Sequence, residues 1–261
     1  PCHVSKGFRE VLETGQQTTA ATIEDPTPIS CYTCHNIHQD YSTNDWALAS
    51  AEAVTFWQGG DVYDGGTGNL CANCHQMRVT DPFPNPAAPN GNFEITSYRF
   101  GPHHGPQGQL LLGVGGYGAD AKASHAHFDA EKNTCVVCHM AEAYGSQAGG
   151  HQMGAGYEYH GATELLTAGC MECHSDEDAV IENTEELAAE IEELMEDLWV
   201  LLVEAGVADT ADHPGYAVEG THTNDAAGAF FNYKYIEEDR SNGIHNPTYA
   251  KQLLEASIAS L

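Results

Sequence analysis

Positive charge is scarce in this 261-residue chain: nine lysines and arginines stand against 38 aspartates and glutamates, a formal net charge of −29. Such a surface cannot neutralise phosphates, which excludes nucleic acid as a partner and disfavours an anionic membrane. Basic partners, cations or a saline exterior suit it better, and plain solubility of an exported protein explains it equally well. Long apolar runs are missing too. The most hydrophobic stretch, Leu194 to Val203, carries Glu196 and Asp197, so no segment matches the eighteen or so apolar residues of a membrane span. No secretory leader is recognisable, as expected of a processed or truncated chain. With 41% hydrophobic residues, 27 glycines and 11 prolines, the side chains alone are thin material for a core.

Cysteine and histidine, by contrast, are plentiful and patterned. Cys-x-x-Cys-His occurs four times: Cys31/Cys34/His35, Cys71/Cys74/His75, Cys135/Cys138/His139 and Cys170/Cys173/His174. This is the covalent attachment pattern of c-type haem. Two thiols add to the porphyrin vinyl groups from one helical turn, and the following imidazole binds the iron. One copy would also fit a zinc or redox dithiol; four copies using eight of nine cysteines do not. The ninth lies in Pro1-Cys2-His3, the back half of the same pentapeptide, followed by the helix-like Val4-Ser5-Lys6-Gly7-Phe8-Arg9. It is read as a fifth site cut by the start of the sequence, the alternative being a free or disulfide-bonded thiol. The cofactor is therefore haem c, four groups from complete motifs and five with Cys2.

Five haems leave about fifty residues for each in a chain long enough for one or two ordinary domains. Flat apolar macrocycles must then supply much of the core. The fold expected is mainly α with extensive irregular loops and little β, a multihaem arrangement with short helices at the attachment sites. Residues 1–175 form the haem-binding region. Residues 176–261 form a helical region packed with it as one unit, returning an axial histidine.

The second face of each iron decides between chemistry and electron transfer, since an open face admits substrate. Of fifteen histidines, ten lie outside the motifs. His38 follows His35 by three residues, which on a helix places it one turn on along nearly the same face. His103 and His104 sit between Phe100-Gly101-Pro102 and Gly105-Pro106, a rigid turn that fixes where imidazoles point. His104 is the first choice of the two, with both open. His127 is preferred over His125 in Ser124-His125-Ala126-His127. His151 follows Gly149-Gly150, which permit close approach of backbone to a porphyrin. His245 precedes Asn246-Pro247, an N-cap and first-turn proline. His160, His213 and His222 lack comparable settings. Methionine is the rival ligand, at Met77, Met140, Met153 or Met171. Five histidine groups facing five haems point to bis-histidine coordination.

A Pro/Asn/Gly-rich loop, Asp81 to Asn92, precedes Phe93–Tyr98, whose alternation reads as a short strand. Beyond His174 a long helix is predicted from Asn183, with Glu186 as capping-box partner, to about Ala205. Its apolar stripe is Leu187, Ile191, Leu194, Met195, Leu198 and Leu202. A partner-binding seam is the alternative to simple core packing. An aromatic-rich helix is predicted over 225–240 and another from Pro247.

On these residues the chain resembles the multihaem cytochromes c across nearly its whole length. His103-His104-Gly105-Pro106-Gln107, Cys135-Val-Val-Cys138-His139-Met140, Gly149-Gly150-His151 and Gly243-Ile244-His245-Asn246-Pro247 look like phrases of that superfamily. It includes periplasmic carriers, nitrite and hydroxylamine enzymes, and filament-forming nanowire cytochromes. The resemblance implies an extracellular or periplasmic location. It implies other redox proteins or extracellular electron acceptors as partners, and a homo-oligomer or filament. The preferred expectation is a non-enzymatic conduit of closely stacked bis-histidine haems. The alternative is a multihaem oxidoreductase with one open haem. Nitrite-reducing relatives mark that haem by lysine in place of the motif histidine, and Cys-x-x-Cys-Lys does not occur here.

Overall fold

The computed structural model describes residues 2–120, 126–129, 131 and 133–261. Helices dominate it. They are α1 (Ser5–Thr14), α2 (Cys31–Cys34), α3 (Asn69–Ala72), α4 (Gln107–Leu112), α5 (Cys135–His139), α6 (Glu177–Glu204), α7 (Asn224–Asp239) and α8 (Pro247–Ser260). The strands are short: β1 (Val54–Thr55), β2 (Val62–Tyr63), β3 (Asn92–Ile95), β4 (Gly156–Tyr159), β5 (Ala162–Leu165) and β6 (Gly220–Thr223). They pair antiparallel as β1–β2, β3–β6 and β4–β5, with Phe93 opposite His222 in the second pair. The mainly helical, loop-rich architecture expected from the sequence is the one observed. Among the described residues no helix is long and apolar enough to cross a membrane.

The chain divides into two compact units, Pro1–Gln76 with Phe128–Val180, and Met77–His127 with Ile181–Leu261. The first holds all nine cysteines. Its helices at the motifs are single turns, too short to persist on their own, and they are tied by polar contacts. The Ser5 hydroxyl meets Thr33 Oγ1 at 2.5 Å and donates to the Pro28 carbonyl at 2.7 Å, pinning α1 to α2. Ser30 and Thr33 form a capping box on α2. Tyr63, fully buried, meets Thr134 Oγ1 at 2.9 Å, and that hydroxyl donates to the Gly65 carbonyl. Buried apolar side chains such as Phe8, Val11, Phe56 and Leu70 are few here.

The second unit has a side-chain core of the ordinary kind. Phe230, Phe231 and Tyr235 of α7 pack with Tyr249, Leu253 and Leu254 of α8 and with Leu198 and Leu202 of α6. Phe93 and Ile95 of β3 close it. Glycine is required where backbones approach: a Cβ on Gly228 would lie 2.2 Å from the Tyr117 ring. Asn232 holds that segment by accepting from the Tyr117 amide at 2.8 Å and donating to its carbonyl at 2.9 Å. The side chains' shortfall as core material thus falls on the first unit, where the motifs are.

Two local expectations are corrected. The long helix begins at Glu177, six residues before Asn183. Asp176 accepts from the Ala179 amide at 3.1 Å, and Glu177 and Asp178 favour the positive end of the backbone dipole. Its predicted stripe is correct, Ile191, Leu198 and Leu202 being buried and Leu187, Leu194 and Met195 packed against the core. The second correction is at His38. Helix α2 ends at Cys34, His35 is extended, and His38 has a left-handed φ of 60°, so the two do not share a helical face. The three carboxylate-bound amides of His38, Gln39 and Asp40, all on Asp45, stabilise the turn instead. The α8 start is as read, with the Asn246 side chain accepting from the Tyr249 amide. Replacing Phe230 by alanine is expected to cost about 3–5 kcal/mol, seen as a lower guanidinium midpoint.

Candidate haem centres

A Cys-x-x-Cys-His helix need only be one turn long, and α2, α3 and α5 are. The fourth motif lies on a 3-10 turn, Thr167–Glu172. That turn packs closely on α5. A Cβ on Gly169 would meet the Val137 carbonyl at 2.6 Å and the Cys138 Cα at 2.7 Å. An open slot of about 500 Å³ lies between them, walled by Val136, Val137, Met140, Ala168 and Met171.

The sulfurs of different motifs converge. A hydrogen bond with Cys135, then burial, then the Cys135 and Cys34 charges push the Cys71 thiol far up. A hydrogen bond with Cys2, then burial, does the same to Cys74. Burial, followed by the charges of Cys170, Cys135 and Cys173, raises Cys138 to about 11. Cys34 and Cys170 are raised chiefly by burial. So many sulfurs close together resist ionisation, so they stand together as neutral groups, as thioethers also would. Paired cysteines at short turns, each pair followed by histidine, fit covalently attached haem, and the Cys2 sulfur lies against that of Cys74. When bound, the haems supply one-electron chemistry at iron; the chain's part is to fix spacing and ligand orientation.

Histidine orientation is set at Nδ1. The His35 Nδ1 lies 2.8 Å from the Trp46 carbonyl, and the His139 Nδ1 lies 2.9 Å from that of Met153. A carbonyl can only accept, so Nδ1 carries the proton and Nε2 the lone pair that a metal needs. Among candidates outside the motifs, His127 is held the same way by the Ile244 carbonyl at 2.7 Å. His104 and His245 lean instead on carboxylates, Glu238 at 2.5 Å and Asp239 at 2.7 Å. The structure thus brings His104, His127 and His245 to one stretch, residues 238–245. The His103 ring lies 4.9 Å from that of His104. His125 lies outside the described residues.

His151 stands on the 3-10 turn Gly150–Gln152, with its ring centre 6.2 Å from that of His35. Gly149 is also needed there for its own backbone. Its φ is 69°, and a Cβ would lie 2.8 Å from the Ala141 carbonyl, so only glycine fits two residues ahead of His151. His38 is exposed, with its ring 5.8 Å from Tyr41. The remaining histidines are differently engaged. His222 places Nε2 2.8 Å from the Val218 carbonyl, which puts its proton on the wrong nitrogen. His213 stacks on Tyr98 at 4.0 Å, and His160 sits at the β4–β5 turn beside Tyr159. Of the methionines, Met77 is wholly buried in the second unit's core.

Sequence reading missed the groups that orient these rings. Trp46, Met153 and Ile244 act through peptide carbonyls, which leave no signal in side-chain identity. Glu238 and Asp239 did leave one: acids at the end of a helix, where the dipole disfavours them.

The short-helix attachment sites, crowded sulfurs and Nδ1-anchored imidazoles define a multihaem c-type cytochrome, a protein of electron transfer. The family model for cytochrome c552 matches residues 122–260, more than half of the chain, and the chain belongs to that family. The crystal structure of the outer cell wall cytochrome OcwA superposes with a TM-score of 0.60 at 19% identity, over 99% of this chain and 44% of that one. The likeness is one of fold, and the chain spans less than half the length of that protein. No curated protein is matched. The cofactor is haem c. In denatured protein, intact mass is expected to show haem retained covalently, and Cys71→Ser with Cys74→Ser to lower the count by one.

Proposed function

We propose that the chain is an electron conduit built of closely spaced, six-coordinate haems. His35, His75, His139 and His174 hold four irons from one side, and Cys2-His3 belongs to a fifth site. His38, His103 or His104, His127, His151 and His245 supply the second faces.

The observation that carries this reading is the His35–His151 pair. Two imidazoles bound to one metal at about 2 Å each have ring centres about 6 Å apart. The rings stand at 6.2 Å with their planes 45° apart. That separation supports one iron held between them. His151→Ala should therefore open one iron, giving a high-spin ferric signal and a cyanide-dependent change in the visible spectrum. The unaltered protein should respond to neither cyanide nor nitrite. A response in the unaltered protein would favour the rival reading, an oxidoreductase with one open haem of the nitrite or hydroxylamine type.

Crowded sulfurs support short distances between porphyrin edges, and outer-sphere tunnelling between neighbours then needs no substrate site. Histidine on both faces keeps potentials below those of Met/His haems. The acidic surface suits basic redox proteins or an extracellular acceptor, and the function places the chain in the periplasm or outside the cell. We further read it as able to polymerise into a filament, a histidine near one terminus completing coordination in the next subunit. Negative-stain images should then show rods, and sizing should shift with concentration; a strictly monodisperse monomer would refute polymerisation while leaving the conduit intact.

A further inference from the structure

The end of α7 breaks a local rule. A helix C-terminus is the negative pole of the backbone dipole and favours cations. Yet the last turn of α7 reads Glu237-Glu238-Asp239 with no base in it, before Arg240 turns left-handed at φ 61°. Asp239 is also buried, its side chain 1% exposed. A buried anion at the negative end of a helix is costly unless something positive offsets its desolvation.

Both oxygens of Asp239 are engaged. Oδ1 accepts from His245 Nδ1 at 2.7 Å; Oδ2 accepts from the Ser241 amide at 3.2 Å and from the Ser241 hydroxyl. With both oxygens accepting, the group stands as a carboxylate behind the ring, on the side away from Nε2. Glu238 contacts His104 in the same manner, but that histidine side chain is 61% exposed and Arg240 lies 3.9 Å from the same carboxylate. Solvent and the guanidinium weaken its field. His35, His127 and His139 lean on neutral peptide carbonyls.

We infer that Asp239 is a positioning residue that tunes a redox potential: its anion, hydrogen-bonded to Nδ1 of His245, sets the haem ligated by His245 below those whose imidazoles rest on peptide carbonyls. This rests on the reading of His245 as an axial ligand. A charge-assisted hydrogen bond is about twice as strong as a neutral one. It pushes electron density through the ring toward iron and so favours the ferric state, which carries one more positive charge than the ferrous state. That same charge supplies what the buried carboxylate lacks. On reduction the iron takes one electron from an external donor; the Nδ1 proton stays where it is, and no bond breaks.

The experiment is a dithionite–ferricyanide titration of the haem-loaded protein, followed by visible absorbance and electron paramagnetic resonance. Asp239→Asn should move one haem's midpoint upward by roughly a tenfold change in its reduction equilibrium, about 59 mV for one electron. Ser241→Ala removes a donor that competes for Oδ2, so the carboxylate pulls harder on the ring and the same haem should move downward. A scaffold role alone gives no reason for opposite signs. No shift in either variant, or shifts of one sign, would overturn the inference; if Asp239→Asn fails to fold, the sign with Ser241→Ala decides. His245→Ala separates the two layers. If every haem stays low-spin in that variant, the ligand reading is wrong; if a high-spin signal appears while Asp239→Asn leaves all midpoints fixed, only the tuning is wrong.

Discussion

Iron ligation by this chain depends on which nitrogen of an imidazole carries the proton. A metal takes a lone pair, so a histidine that will bind iron through Nε2 must be held with its hydrogen on Nδ1. The chain meets that requirement repeatedly with one device, an oxygen placed behind the ring. Trp46, Met153 and Ile244 offer carbonyls and Glu238 and Asp239 offer carboxylates. His222 shows the converse, with its Nε2 on a carbonyl. Where the oxygen is a peptide carbonyl, irregular backbone suits this device. A regular helix or strand has already used its carbonyls in the ladder, whereas a loop can aim one at a ring.

Division of labour between the two units follows. All nine cysteines occupy the first, where buried apolar side chains are sparse and short helices are tied by hydroxyl contacts such as Ser5–Thr33 and Tyr63–Thr134. Macrocycles can replace side chains as core there because a porphyrin is large, flat and apolar. The second unit carries the aromatic and aliphatic core of α6, α7 and α8. Its rigidity gives the ends of its helices fixed positions, and His104, His127 and His245 gather at the end of α7.

Much of this was legible in the sequence, for reasons that differ by element. Cys-x-x-Cys-His is local covalent chemistry, so its four copies needed no tertiary context. The stripe on α6 and the Asn246-Pro247 start of α8 were readable because periodicity and capping are local too. The start of α6 was misread because Asn183 with Glu186 imitates a cap that Asp176 actually provides. His38 was misplaced because attachment asks for only one turn of helix, and Asp45 captures the amides that follow. The β3–β6 pairing joins segments over a hundred residues apart, and no local pattern announces it. The nearness of His35 and His151 was invisible for the same reason.

The net charge of −29 invites the thought that bulk acidity sets the haem potentials, since negative charge favours ferric iron. Screening argues otherwise. Ions screen exposed charges beyond roughly 8–10 Å at physiological salt, and the glutamates along the outer face of α6 are solvated. The field of such solvated charges is weak and falls further as salt rises. A carboxylate that is itself buried and hydrogen-bonded to an imidazole, as Asp239 is to His245, is screened little by water or ions. On the proposed ligation by His245, one such group outweighs many surface acids, which leaves the acidic surface to solubility and the choice of partner and the tuning of that haem to Asp239.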